Sequence, residues 1–339
     1  MRTRFLCWLG TVAIASAGLC SAAEQPFQLP TANRALFEKG GEEKFFVGTT
    51  GKPWQSGTFG CVRSDGQQMH EGLDIRCLQR NKRGEPIDPV MASADGTVAY
   101  VNKRPATSNY GQYIVLRHVI EGLEIHTLYA HLSEVADGLK AGQAVKTGQV
   151  IATMGRTSNT HERISQERAH VHFEIDFFVN EHFPVWYKKN HPQDRDDHGV
   201  WNGINLVGID PRLVLLEQQA QGAKFSFLKF IQTRTELCRV LVRAADFPFV
   251  KRYAPLVRAN PVAQKEGMAG YEIALDYNAV PFQITPRAAS EMKSKQRYQL
   301  LSVNAAEQGK NPARHLVSRR GSQWELTSRG TTFLDLLTQ

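Results

Sequence analysis

Residues 58–178 consist of strand-length apolar runs cut by turn residues, and this spacing restricts the fold more than any other feature of the 339-residue chain. VMASADGTVAYVN sets Asp95-Gly96 between two apolar stretches, which predicts a hairpin. YGQYIVLRHVI alternates and runs into EGLEIHTLYAHL, which predicts another hairpin about Glu121-Gly122. GLKAGQAVKTGQVIATMG carries glycines at turn spacing and ends in a strand over 149–154. The expectation is a mainly β fold, a compact antiparallel sheet or sandwich, followed by a smaller mixed α+β region.

Segment 179–208 differs. FVNEHFPVWYKKNHPQDRDDHGVWNG is dense in Pro, Asn, Asp and His and reads as a long surface loop inserted in the β unit. After IDPRLVLLEQQ, the runs KFSFLKFIQ, LCRVLVRAADF and YEIALDY look β-like, 288–306 reads as a helix, and HLVSRRGSQWELTSRGTTFLDLL as a hairpin then a helix. The expected organisation is a leader over 1–23, an extension over 24–55, a principal unit over 56–216 and a C-terminal accessory region over 217–339.

MRTRFLCWLGTVAIASAGLCSAA has two arginines, an apolar run too short to span a membrane comfortably, and small residues at its end. It reads as a secretory signal peptide cut after Ala23, so the mature protein is exported to the periplasm or medium; Leu19 before Cys20 argues against a lipid-anchored cysteine. Removing it removes Arg2, Arg4 and no acids, taking the net charge from +8 to +6. That balance suits a polyanionic partner or simple solubility. No later segment is apolar enough to cross a membrane. In an oxidising compartment Cys61 and Cys77 can close a loop of about 15 residues, worth on the order of 3 kcal/mol, with Cys238 left as a buried apolar residue.

Three motifs bear on chemistry. A strand has period two, so HVHFEI puts His170, His172 and Glu174 on one face and Val171, Phe173 and Ile175 on the other. On its own, the pair is also what an ordinary exposed strand carries. MHEGLDIRC sets His70 four residues before Asp74. It is not the helical HExxH zinc motif, because the fifth residue is Asp and Gly72 costs a helix about 1 kcal/mol. A flat strand would hold the two roughly 13 Å apart, so the chain must bend between them, which Gly72 permits. TLYAHL supplies His131 at the end of an apolar strand. His70, Asp74, His131, His170 and His172 exceed the three protein ligands of a catalytic zinc, leaving the surplus for proton transfer or oxyanion stabilisation.

HEGLDI, TLYAHL and HVHFEI, in that order with DGTVAYVN and VKTGQVIATMG between them, resemble the lysostaphin-type (LytM-type) zinc metallopeptidases that cut peptide bonds in bacterial peptidoglycan. The resemblance covers about 56–178, with IDP at 209–211 matching the domain's usual exit, and implies the duplicated-hybrid-motif fold. It implies one zinc per chain held by His70, Asp74 and His172, with His131 and His170 working on its water as catalytic residues. It also implies peptidoglycan as the partner, not nucleic acid. Two departures stand out: the charged approach GRTSNTHERISQERA and the 179–208 segment. No tyrosine lies between Phe59 and Met69, where some relatives place an oxyanion donor, so His131 or His170 inherits that task.

Two other readings are weighed. A non-catalytic wall-binding or hydrolase-activating module would have this fold without needing the ligands. A biotinyl or lipoyl carrier would need a lysine where Gly155 and Arg156 follow Met154.

Overall fold

The computed structural model describes residues 25–160 and 163–339. The expected leader, with Cys7 and Cys20, and His161 lie outside the described residues. The chain lays down a short hairpin, β1 (Gly60–Arg63) and β2 (Gln68–His70), then β3 (Leu73–Arg76). There follow β4 (Pro89–Met91), β5 (Gly96–Asn102), β6 (Gln112–Ile120), β7 (Leu123–Leu132), β8 (Glu134–Val135), β9 (Ala144–Val145), β10 (Val150–Thr153), β11 (His170–Phe178) and β12 (Leu206–Ile209). The main sheet has the order β12-β11-β7-β6-β5-β9, with β3 also paired to β11, and every pairing is antiparallel. Strands β4, β10 and β8 form a smaller sheet.

Strand β11 organises the molecule. One edge pairs with β7, while the other pairs first with β3, over His170 to Phe173, and then with β12, over Ile175 to Phe178. Val171, Phe173, Ile175 and Phe177 alternate into the main core with no exposed surface. Each such burial contributes about 2 kcal/mol. The opposite face, His170, His172, Glu174 and Asp176, is also buried. It lies on the side of a small second cluster that includes Tyr113, Leu128, Ala130, Phe178 and Leu206, with Trp201 against it.

The flanking segments share the main core. Phe27, Phe45 and Phe46 from the N-terminal stretch enter it, and Val47 N–H donates to the Asp74 carbonyl at 2.9 Å. The C-terminal region adds the sheet β15-β14-β13-β16, from β13 (Cys238–Val242), β14 (Gly270–Leu275), β15 (Pro281–Arg287) and β16 (Tyr298–Val303). A hairpin, β17 (Val317–Arg320) and β18 (Gln323–Leu326), and a final helix, Ser328–Leu337, complete the chain. Val240, Ile273 and Leu337 belong to the same core as Phe173. Tyr253 Oη accepts from Phe178 N–H at 2.8 Å, tying the region to the end of β11.

The fold is mainly antiparallel β, as the run spacing predicts, and the Glu121-Gly122 turn joins β6 to β7 with positive φ at both residues. Four local expectations fail for identifiable reasons. Asp95-Gly96 is a crossing between sheets rather than a hairpin, because β4 pairs with β10 whereas β5 pairs with β6 and β9. There a Cβ on Gly96 would stand 2.4 Å from the Arg117 carbonyl oxygen, so the glycine serves close approach.

Segment 179–208 is not an irregular loop: it contains the helix Phe183–Asn190, whose Phe183, Trp186 and Tyr187 are buried at helical spacing. KFSFLKFIQ forms the helix Phe227–Gln232, with Phe227 and Ile231 buried four apart and the Ser226 hydroxyl capping Lys229 N–H. In 288–306 the helical parts are a single turn, Ala289–Glu291, and the start of the short helix Ala305–Lys310, since the open edge of β13 recruits Tyr298–Val303 as β16. Cys61, Cys77 and Cys238 are all free thiols.

Candidate metal centre

His70 ends β2, Asp74 lies in β3, and His172 stands directly opposite Asp74 in the β3–β11 register. Gly72 permits this apposition through space rather than unusual backbone angles. A Cβ there would lie 2.5 Å from the Phe173 carbonyl oxygen and 2.9 Å from Nε2 of His172. Nε2 of His70 is 3.0 Å from Nδ1 of His172, and both are close to Oδ1 of Asp74, at 3.1 and 3.0 Å. Nε2 of His170 is 3.3 Å from the same oxygen.

His131 joins the group through a bulge. Gln112 and Ile114 pair with Leu132 and Tyr129, so β7 carries one extra residue at this point. His131 has a left-handed φ of 61°, and its ring centroid lies 4.9 Å from that of His170 and 6.0 Å from that of His172. Regular alternation would have turned it away from Ala130, which sits opposite His172. All five sequence-derived site residues are therefore assembled.

The outer bonds fix which ring nitrogen carries the proton. Nδ1 of His70, His131 and His170 faces the carbonyls of Thr58, Thr157 and Arg168 at 2.7, 2.8 and 2.6 Å, and a carbonyl can only accept. Nε2 of His172 faces Oε1 of Glu174 at 2.6 Å. With the outer nitrogen protonated, each histidine turns its other nitrogen inward, and that of His172 becomes a free lone pair once a cation displaces its proton. Oδ2 of Asp74 accepts from Arg63 at 2.7 Å, leaving Oδ1 for the cluster.

These donors fit a zinc ion. Tetrahedral zinc ligands with bonds of about 2.0 Å stand about 3.3 Å apart, close to the separations above. Two lone-pair nitrogens and a carboxylate oxygen converging at such distances also call for a cation between them. His70, Asp74 and His172 are the one such grouping among the described residues.

Electrostatics follow from burial and charge. Burial opposes ionisation of Asp74, but His70 and His170 hold its carboxyl well below the usual range. Burial lowers His70 against the pull of Asp74, and lowers His131 well below the ordinary imidazole value with help from His170 and His172. His172 is the exception: burial disfavours its charge, yet the bonds to Asp74 and Glu174 lift it to about 9 without a metal.

Two further participants stand beside the five site residues. Glu174, which the strand period put on the histidine face, is buried and bonded to His172. Tyr110, from the loop before β6, donates its hydroxyl to the same Glu174 oxygen at 2.7 Å, and its ring centroid is 5.6 Å from that of His172. Nothing in the tyrosine's local sequence marks it, because its partner comes from a distant strand.

The cluster opens into a cavity of about 1180 Å³. Its walls include Tyr187, Arg195 and His198 from 179–208, and Asn278, Arg314, Arg329 and Phe333 from the C-terminal region. Among the described residues no helix is long and apolar enough to cross a membrane.

Residues 68–184 match the model of Peptidase family M23. The chain is 37% identical over 111 residues to an uncharacterized metalloprotease of Haemophilus influenzae, covering 33% of this chain and 19% of that protein. It is 33% identical over 108 residues to the murein hydrolase activator NlpD of Escherichia coli, covering 32% of this chain and 23% of the relative. A zinc-containing peptidase from Vibrio cholerae is 31% identical over 32% of this chain and 26% of its own, with a TM-score of 0.23. The likeness is thus confined to about a third of this chain and to less than a quarter of these two curated relatives. Residues 68–184 carry a peptidase M23 domain, and the histidine pattern that resembles the lysostaphin-type peptidases lies within them.

Proposed function

We propose that this protein is an exported zinc metalloendopeptidase that hydrolyses peptide cross-links of bacterial peptidoglycan, with its peptidase unit at 56–216. The observation that carries the reading is the convergence of His70 Nε2, Asp74 Oδ1 and His172 Nδ1, with His131 and His170 beside them. These three atoms would hold one zinc per chain. When bound, the ion supplies Lewis acidity, polarising the scissile carbonyl and acidifying water toward a pKa of about 7.

The protein's own groups do the rest. His131 and His170 stay off the metal and present Nε2 toward it. One takes the proton from the attacking water and returns it to the leaving amine; the other donates to the oxyanion. Arg63 donates to Oδ2 of Asp74 and so keeps Oδ1 aimed at the site. The leader at 1–23 would place the enzyme outside the cytoplasmic membrane, where its polymeric substrate lies.

A second reading has its own support: the similarity to a murein hydrolase activator favours a module that binds wall or a hydrolase without cutting. The full ligand set supports the enzyme instead, since an activator needs none of it. Metal analysis of the purified protein separates the two. Close to one zinc per chain, lost in His172→Ala, supports the peptidase; zinc-free protein that still binds peptidoglycan supports the activator.

A further inference from the structure

The walls of the cavity that come from the C-terminal region are cationic and oddly unpartnered. Arg63 and Arg195, also at the cavity, are paired with Asp74 and Asp197. Arg314 and Arg329 have no carboxylate within ion-pair distance among the described residues, and Arg329 makes no hydrogen bond there. Among the described residues the acids lining the cavity are Glu71 and Asp74, and Asp74 is committed to the histidines and Arg63.

Arg314 is held in place. Its Nε donates to Oδ1 of Asn278, a fully buried side chain whose Nδ2 donates to the Gly208 carbonyl at 2.6 Å. Gly208 pairs with Asp176 on β11, the strand that carries His172. The preceding residue is pinned as well, with Ala313 N–H donating to Sγ of Cys61 on β1 at 3.3 Å. The guanidinium is therefore anchored through one nitrogen to the sheet that holds the metal centre, while Nη1 and Nη2 have no protein partner among the described residues. Asp176, whose field reaches Arg314, does not neutralise it: burial, then the charge of Glu174, pushes that carboxyl well above its usual range.

We propose that Arg314, seconded by Arg329, is a carboxylate-binding subsite, and that the chain acts on peptides carrying a free carboxylate near the bond it cuts. A guanidinium fixed at Nε offers its two terminal amino groups as a planar pair, the geometry that grips a carboxylate bidentately. A lysine offers a point charge without that fork. The inference rests on the peptidase reading and adds the substrate's chemical class to it: acidic stem peptides, selected by a wall that lies outside the matched peptidase segment.

The test uses soluble cross-linked muropeptides, each stem carboxylate being compared as the free acid and as its amide, with wild-type protein, Arg314→Gln, Arg314→Lys and Arg329→Ala. Amidating one particular carboxylate should raise KM by about ten- to hundredfold, the range of hydrogen bonds to charged groups, with kcat little changed. Arg314→Gln should lose that discrimination, and Arg314→Lys should recover only part of it.

Wild-type protein that uses every acid and amide alike overturns the subsite while leaving the peptidase intact. Protein that binds the acid over the amide by calorimetry but cuts neither keeps the subsite and removes the peptidase; protein that does neither overturns both. If Arg314→Gln fails to fold, the acid-to-amide ratio of the wild type and of Arg329→Ala still decides.

Discussion

Glu174 grips His172 from behind: its Oε1 lies 2.6 Å from Nε2 of the histidine and takes a further hydrogen bond from Tyr110 at 2.7 Å. The pair fixes both the tautomer and the ring plane of the imidazole proposed to hold the metal. Such outer partners typically govern metal affinity by about 10- to 100-fold. Glu174→Gln and Tyr110→Phe should therefore fold normally by circular dichroism yet bind zinc more weakly, Glu174→Gln more so, in competition with a fluorescent chelator. Unchanged affinity in both would remove the orienting role.

Holding the metal and moving the proton should be separable. His170→Ala, and His131→Asn, chosen because Asn tolerates the left-handed backbone at this position, should keep about one zinc per chain. Each should lose hydrolysis by roughly 10²- to 10⁴-fold, the usual reach of general acid–base catalysis. Loss of zinc in either variant would instead make that histidine a ligand.

Gly72 is needed because two strands meet there. Its missing side chain leaves room for the Phe173 carbonyl and the His172 ring. Gly72→Ala should cost about 1–3 kcal/mol, as overpacking does, and weaken zinc binding at the same time. Urea denaturation with and without zinc measures both effects, and wild-type stability in the variant would refute the packing argument.

Acid should unfold the protein partly through His118. This buried side chain lies between the Asp95 carbonyl and the Thr127 hydroxyl, and burial, only partly opposed by the Asp95 carbonyl and carboxylate, lowers it from 6.5 to about 4. The folded state therefore prefers the neutral ring. Its contribution is complete above pH 6.5 and is lost as pH falls through about 4, amounting to about 3 kcal/mol. His118→Gln should flatten the stability curve between those limits, and a curve parallel to wild type would contradict the assignment.

Much of the site was legible because it depends on local spacing. The two-residue period of HVHFEI and the glycine in HEGLD follow from strand geometry, and β11 and the β2–β3 turn realise both. TLYAHL offered His131 as a candidate, but the resemblance alone gave it a role, since a bulge, not the strand period, aims it. Tyr110 was hidden because loop residues acquire partners from distant elements.

The failures elsewhere share a cause. Asp95-Gly96 has hairpin chemistry, yet the strands on either side belong to different sheets. In 288–306 and KFSFLKFIQ, the neighbours available to each segment decided between strand and helix. Nor could composition foresee that a C-terminal region without a recognised motif would wall the cavity.

The most direct test of the central claim is mass spectrometry of the products released when zinc-loaded protein is incubated with purified cross-linked peptidoglycan. The account predicts that cross-linked dimers give way to shorter species bearing new peptide termini, and that His172→Ala yields none. Peptidoglycan left intact by a protein carrying one zinc per chain would contradict it.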